Sequence, residues 1–388
     1  MKDILNQIAE QFKKFYGEHH LIVKSPGRVN LIGEHTDYNE GFVLPASVNK
    51  NIILVLSARD DEKYSMIAYD LNDRLEMSLV KISPGDKFWA NYLLGVIDQL
   101  EKAGKSIPGF NCVFGGNIPI GAGLSSSAAI ETGFLFALNI LFDLKLTELE
   151  IIKMARQAEN DFVGVRCGIM DQFVNIYGIA GKLLKLDCRS LDFDYFPFTN
   201  DKIKIVLCDT KVKHSLASSE YNKRRLQCEN ASLILSSIDP RIKSLRDCSL
   251  DLLLENKKML DEETFNRCHY VIEENIRVES ACSNLLNNDF DSFGKCLFES
   301  HYGLRDKYQV SCIELDYLVE TAAKHSSVFG ARMMGGGFGG CTINIVQKEK
   351  LEEFSLYIKE NYAKVFNTSL PVYFMEITDG TRVIQNNL

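Results

Sequence analysis

No Cys-x-x-Cys pair occurs in this 388-residue chain, and its 11 cysteines, an odd number scattered from Cys112 to Cys341, frame neither a disulfide scaffold nor a zinc site. Reduced thiols and a cytoplasmic setting are the expectation. No apolar run is long enough for a bilayer. The most apolar stretch, residues 133–142, contains Asn139 and reaches about half of the roughly 20 residues that a spanning helix needs. A basic excess is missing too: Lys plus Arg number 44 against 52 for Asp plus Glu, and the net charge of −8 excludes general attraction to nucleic acid or to an anionic membrane. Any anion site must therefore be local. Internal repeats and low-complexity segments are absent. Residues 1–15 carry Ile4, Ile8, Phe12 and Phe15 at helical spacing with Asp3 and Glu10 among them, the pattern of an amphipathic helix rather than a signal peptide.

What is present is a chain long for one core and 46% hydrophobic, so two lobes around a cleft are expected. Strand-like runs at 21–23, 52–56 and 110–114, and helical patterns at 126–142 and from the capping box at 147–150 to Gly164, precede a change near residue 195. Beyond it come one strand at 203–207, a helix-rich stretch over 218–324, and late strands at 342–346 and 372–377 around a helix at 350–365. The irregular order predicts an α+β fold, with lobes of residues 1–195 and 196–388. The one compact basic run, Lys223-Arg224-Arg225, reads as a solvated helix face.

Gly121-Ala122-Gly123-Leu124-Ser125-Ser126-Ser127-Ala128-Ala129 joins a strand-like run to the helix at 126–142. Glycines admit a ligand close to the backbone, and the unpaired N–H groups and positive dipole of a helix start stabilise an anion there. An ordinary serine cap after a glycine turn has the same pattern. A Walker lysine is lacking, and 178–183 fails that spacing as well; no His-Arg-Asp triplet of a protein kinase occurs. If the loop holds phosphate, it does so in another class of enzyme.

Residues 26–38 crowd Arg28, Asn30, Glu34, His35, Thr36, Asp37 and Tyr38 around apolar Leu31 and Ile32. Carboxylates that accept sugar hydroxyl hydrogens, with Arg and His as donors, suit a sugar; a charged surface loop is the plainer reading. Gly335-Gly336-Gly337-Phe338-Gly339-Gly340 imitates a dinucleotide fingerprint but runs into a strand, so its glycines mark a close backbone approach, to a ligand or to another part of the chain. Asp171, alone among apolar neighbours after Gly168, reads by itself as a helix cap or a surface acid.

Together and in this order, these motifs closely resemble the GHMP kinase superfamily, and 27–38 is similar to the galactokinase signature almost residue for residue. Residues 167–172 and 213–221 add to the likeness, which runs from about residue 24 to 342. The resemblance implies an N-terminal lobe like ribosomal protein S5 domain 2, a GHMP C-terminal lobe, and an active site between them. It also implies ATP-dependent phosphorylation of the C1 hydroxyl of α-D-galactose, giving galactose 1-phosphate for the Leloir pathway; a monomer is expected. By position it places Arg28, Glu34, His35, Asp37, Gly168, Asp171 and Tyr221 at the sugar, with Asp171 as general base or electrostatic orienter beside Arg28. It places Gly121, Ala122, Gly123, Leu124, Ser125, Ser126, Ser127 and Ala128 at the triphosphate, Ser127 and Glu159 at Mg²⁺, and Trp89 and Tyr92 near adenine, although core packing also accounts for Trp89. Two departures stand out: Lys213 where several relatives carry Arg, and Met334 where Thr is common. The alternatives are an N-acetylgalactosamine kinase, more distantly a mevalonate or homoserine kinase, and a non-catalytic sensor of galactose and ATP. Such sensors lack the Ser-Ala pair present here as Ser127-Ala128.

Overall fold

The structure, a computed structural model, describes residues 2–78, 82–198, 202–212 and 217–388; Lys213 lies outside them. Its largest sheet is built on β1 (Leu21–Asn30), buried along its whole length, and runs β13-β1-β3-β6-β4-β5. The other members are β3 (Pro45–Ala58), β4 (Lys63–Ala68), β5 (Asp73–Ser78), β6 (Phe110–Gly116) and the late strand β13 (Arg382–Asn386). A small sheet of β2 (Phe42–Val43), β7 (Lys182–Asp187) and β8 (Phe193–Pro197) lies in the same half of the sequence. The four-stranded sheet β10-β11-β9-β12 comprises β9 (Ile203–Asp209), β10 (Val328–Met334), β11 (Cys341–Gln347) and β12 (Val372–Met375). We propose the lobe division near residue 195, within β8, with β13 returned to the first lobe through its antiparallel pairing to β1.

Helix α1 (Lys2–Tyr16) lays Ile8 and Phe12 against Ile22, Ile53, Val55 and Val113 on one face of the main sheet, while Phe15 is 46% exposed and outside that contact. The opposite face carries α2 (Phe88–Lys102) and α3 (Ser126–Leu141), whose Leu93, Ile97, Phe134 and Leu138 are fully buried with Leu21, Val23, Leu54 and Leu56 in the principal core. α4 (Glu148–Ala158) begins at the expected capping box: Thr147 Oγ1 accepts from Glu150 N, and Glu150 Oε2 accepts from Thr147 N at 2.8 Å. It continues into a π turn, Glu159–Val163, closed by Gly164 at φ +89°. Such turns gather at functional sites, and this one leaves Glu159 buried. α5 (Met170–Tyr177) then carries Asp171 in its first turn.

The helix-rich stretch holds α6 (Ala217–Ser236), α7 (Leu250–Glu255), α8 (Glu262–Leu286), α9 (Phe290–Gly303) and α10 (Ile313–Ala322), and α11 (Leu351–Phe366) follows β11. β10 is a strand that the sequence pattern hides, because Gly330 and Arg332 interrupt its apolar run. It pairs antiparallel with β11 from Val328↔Val346 to Met334↔Cys341. Residues 335–340 are thus a hairpin turn between strands, with no helix to make a dinucleotide site.

Candidate active site

A cavity of about 140 Å³ opens where β1 ends, lined by Arg28, Glu34, His35 and Asp37 together with Asp171 and Tyr221. Glu159, Val165, Cys167, Met170, Gly335 and Gly336 complete the lining. Arg28, Glu34 and His35 are 6%, 3% and 4% exposed, so the segment is a buried polar wall and not a surface loop.

Arg28 ties this wall to the serine loop. Its Nε and Nη2 donate to Asp171 Oδ1 and Oδ2 at 2.7 and 2.8 Å, and its Nη1 donates to the carbonyl of Gly123. That bidentate fork fixes the carboxylate in both direction and plane. Ser125 stands at the cap of α3 in a left-handed conformation, φ +57°, and makes no capping bond; its hydroxyl donates to Asp171 Oδ2 instead. The ordinary cap reading of the loop fails here. The first i→i−4 bond of α3 runs from Ala129 N to Ser125 O, so the N–H groups of Ser126, Ser127 and Ala128 lie ahead of it at the positive end of the helix.

Glu34 is held by a residue that the motifs did not reveal. Arg332 on β10, fully buried, donates to Glu34 Oε2 at 2.8 Å and to the carbonyls of Leu31 and Met333 at 2.7 and 2.6 Å. Gly335 N adds a second donor to Glu34 Oε2 at 3.0 Å. An arginine between Ala331 and Met333 in a buried strand was the available signal. His35 lines the cavity with Nε2 buried and, among the described residues, without a hydrogen bond of normal length, and burial pushes the imidazole down to about 3, so it is neutral at physiological pH. Burial, with the nearby Asp171 carboxylate, raises Asp37 to about 7. Gly168 sits against that side chain: a Cβ there would lie 1.9 Å from Asp37 Oδ2. Gly168→Ala is therefore expected to cost about 1–3 kcal/mol of stability in urea denaturation, the range for overpacking; an unchanged midpoint would show that Asp37 yields freely.

Glu159 accepts from Gln172 Nε2 at 3.0 Å, and burial raises its carboxyl. The glycine hairpin closes over the loop, where a Cβ on Gly123 would approach Met334 O to 3.2 Å. The turn thus meets both alternatives, since Gly335 and Gly336 also line the cavity. Met334 is buried in the principal core. Trp89 and Tyr92 lie on α2 and do not line the cavity; Trp89 Nε1 donates to Asp73 Oδ2 at 2.8 Å and its ring packs by Phe114. Of the basic run only Lys223 is solvated; the two arginines are not. Arg224 is buried and caps the carbonyls of Tyr308 and Gln309 at 3.0 and 2.9 Å, and Arg225 donates to Arg166 O at 2.8 Å.

Three family models match the chain: the galactokinase galactose-binding signature over residues 10–58, the GHMP kinase N-terminal domain over 91–179, and the GHMP kinase C-terminal domain over 281–364. The chain is 42% identical to the galactokinase of Clostridium acetobutylicum, covering 98% of this chain and 100% of that protein. It is 40% identical to that of Thermotoga maritima, covering 93% and 99%. The crystal structure of Lactococcus lactis galactokinase complexed with galactose superposes with a TM-score of 0.92 at 34% identity, covering 98% of this chain and 99% of that one. The Methanococcus jannaschii mevalonate kinase, at 19% identity and TM-score 0.61, shares the fold.

Proposed function

Because this chain belongs to the galactokinase family of GHMP kinases, we propose that its cavity seats α-D-galactose with the C1 hydroxyl at Asp171 and the γ-phosphate of ATP at the serine loop. The chain is a kinase of galactose, and kinase activity implies ATP. Full-length identity to galactokinases does not favour an N-acetylgalactosamine kinase or a sensor. One observation carries the geometry: Arg28 binds Asp171 with two nitrogens and the phosphate-loop carbonyl of Gly123 with the third. The sugar wall and the anion seat thus share one guanidinium.

In this reading the C1 oxygen forms its bond to phosphorus as the bond to the β,γ-bridging oxygen breaks. The hydroxyl proton passes to Asp171, and ADP leaves. Transfer of this kind is mostly positioning and charge stabilisation. Glu34 and Asp37 accept hydroxyl hydrogens, Tyr221 lines the sugar cavity with its ring packed by His35 and Tyr38, and the N–H groups at the start of α3 face the phosphates. Ser127 and the buried carboxylate of Glu159 offer the hard oxygen donors that suit Mg²⁺, which takes one or two protein ligands and otherwise phosphates and water. When bound, it neutralises phosphate charge. No cluster of three or more His, Cys, Asp or Glu ligands stands among the described residues, and such an ion requires none. Trp89 and Tyr92 are proposed at the adenine end of the same groove. A cytoplasmic location is supported by 11 free cysteines, and among the described residues no helix is long and apolar enough to cross a membrane.

ADP release with MgATP and galactose, N-acetylgalactosamine, glucose or mevalonate tests the substrate: turnover is expected with galactose, and a preference for another of the four would refute the assignment. Replacing Glu34 or Asp37 by Ala is expected to raise the galactose KM by about tenfold or more, the loss of a charged hydrogen-bond partner, with the ATP KM little changed. Equal changes for both substrates would move the sugar elsewhere.

A further inference from the structure

Behind the cavity wall four side chains form a hydrogen-bonded line with no part in phosphoryl transfer. His35 Nδ1 lies 2.7 Å from the Tyr38 hydroxyl, which lies 2.7 Å from that of Tyr308, which lies 3.4 Å from Cys228 Sγ. The line crosses from the segment after β1 to the helical half of the chain, because Tyr308 ends a π turn (Leu304–Tyr308) and Cys228 belongs to α6. Its far end is firmly held. Tyr308 and Cys228 are fully buried, the Tyr308 ring packs against His35 and Tyr270 at 4.8 and 4.9 Å, and Arg224 grips the Tyr308 carbonyl. Its near end reaches the cavity, which the ring lines; His35 Nε2 is buried without a hydrogen bond of normal length among the described residues, and the imidazole stands by the Gly336 backbone.

We propose that Tyr308 is the positioning residue for sugar recognition by His35: through Tyr38 it fixes the imidazole as the Nε2–H tautomer, so that the ring presents a hydrogen-bond donor to the hexose. The direction follows from donor and acceptor strength. An imidazole nitrogen is the best acceptor on the line and a phenol a better donor than a thiol, so Tyr38 O–H donates to Nδ1, Tyr308 O–H to the Tyr38 oxygen, and Cys228 S–H to the Tyr308 oxygen. The opposite direction would end on sulfur, a weak acceptor. A fixed donor complements Glu34 and Asp37, which only accept when ionised. His35 is neutral, so its tautomer and not its charge decides which hydroxyl geometry fits. The inference rests on the cavity being the galactose site.

Long-range ¹H–¹⁵N spectra of protein labelled at histidine, with His35 assigned through His35→Gln, read the tautomer without any sugar. The wild type is expected to show a protonated Nε2 and a bare Nδ1. Tyr308→Phe keeps the ring and breaks the line, so His35 should shift to mixed tautomers while the galactose KM rises roughly five- to tenfold and the ATP KM stays within about twofold, the size of one lost hydrogen bond. Tyr38→Phe, which breaks the line one link earlier, should do the same and serves if Tyr308→Phe does not fold. A wild-type His35 protonated at Nδ1, unchanged His35 signals in both variants, or a parallel rise in both KM values overturns the assignment. If His35→Gln leaves the galactose KM unchanged, it is the sugar site that is misplaced; if it raises that KM and the tyrosine variants do not, Tyr308 alone is excluded.

Discussion

Asp171→Asn is expected to lower kcat by about 10²-fold or more, up to about 10⁴-fold, the contribution of a positioned proton acceptor. The fold should survive the change. Asn keeps an oxygen for Arg28 and Ser125, and Asp171 opens a short helix whose Phe173, two positions on and so on the other side of the helix, packs into a core cluster. Arg28 would then hold an uncompensated positive charge against the loop, which attracts the triphosphate, so nucleotide affinity should hold or rise while kcat falls. Single-turnover phosphoryl transfer with saturating galactose and MgATP separates the two effects, and denaturation in urea checks the fold. Near-normal turnover would remove Asp171 from the chemistry and leave it a strut between Arg28 and Ser125. Galactose affinity should change less than turnover, because Glu34, Asp37 and His35 are untouched.

What the sequence disclosed of this site followed from local chemistry. Glycine and serine at a strand-to-helix junction, the capping box at Thr147 and Glu150, and the crowded polar segment from Arg28 to Tyr38 each act over a few residues, so their patterns survive without a partner in view. Strands β1, β3, β6, β9 and β11 also announced themselves, being apolar runs buried on both faces. The features that escaped depend on partners far along the chain. β10 carries Arg332 and Gly330 in place of an unbroken apolar run, and its reasons are remote: Glu34 lies 298 positions away, and Gly330 is pressed against Gly294 of α9. β13 pairs with β1 at the other end of the chain, and its side chains are largely exposed. Arg224 and Arg225 looked like solvent charges because their acceptors, main-chain carbonyls of a π turn and of the segment before α5, leave no mark in composition. Ser125 shows the same limit on a smaller scale. Its residue type fits a helix cap, and only the approach of Asp171 gives its hydroxyl another partner.

Arg332 carries the largest expected effect on stability. It is fully buried, Glu34 is 3% exposed, and the two make an ion pair at 2.8 Å whose charges have left water. Removing one member of such a pair leaves the other desolvated and unmatched, so Arg332→Met should cost about 3–5 kcal/mol. That is a large part of the roughly 5–15 kcal/mol that a folded domain commands. Glu34 would keep Gly335 N at 3.0 Å and Asn30 Nδ2 at 3.3 Å, two neutral donors that cannot replace a guanidinium. The carbonyls of Asn30, Leu31 and Met333 would lose their donor as well. Urea denaturation at neutral pH measures the loss, and adding Glu34→Gln to Arg332→Met discriminates its cause. Neutralising the stranded carboxylate should restore part of the lost stability if unmatched charge dominates, and none if the three carbonyls do. Arg332→Lys keeps the charge but not the planar fork, and should fall between wild type and Arg332→Met. The galactose KM should follow the same order, because the arginine on β10 is what aims Glu34 into the cavity. An Arg332→Met protein within about 1 kcal/mol of wild type would mean that the pair is no stronger than the surface kind and that Glu34 holds its place without it.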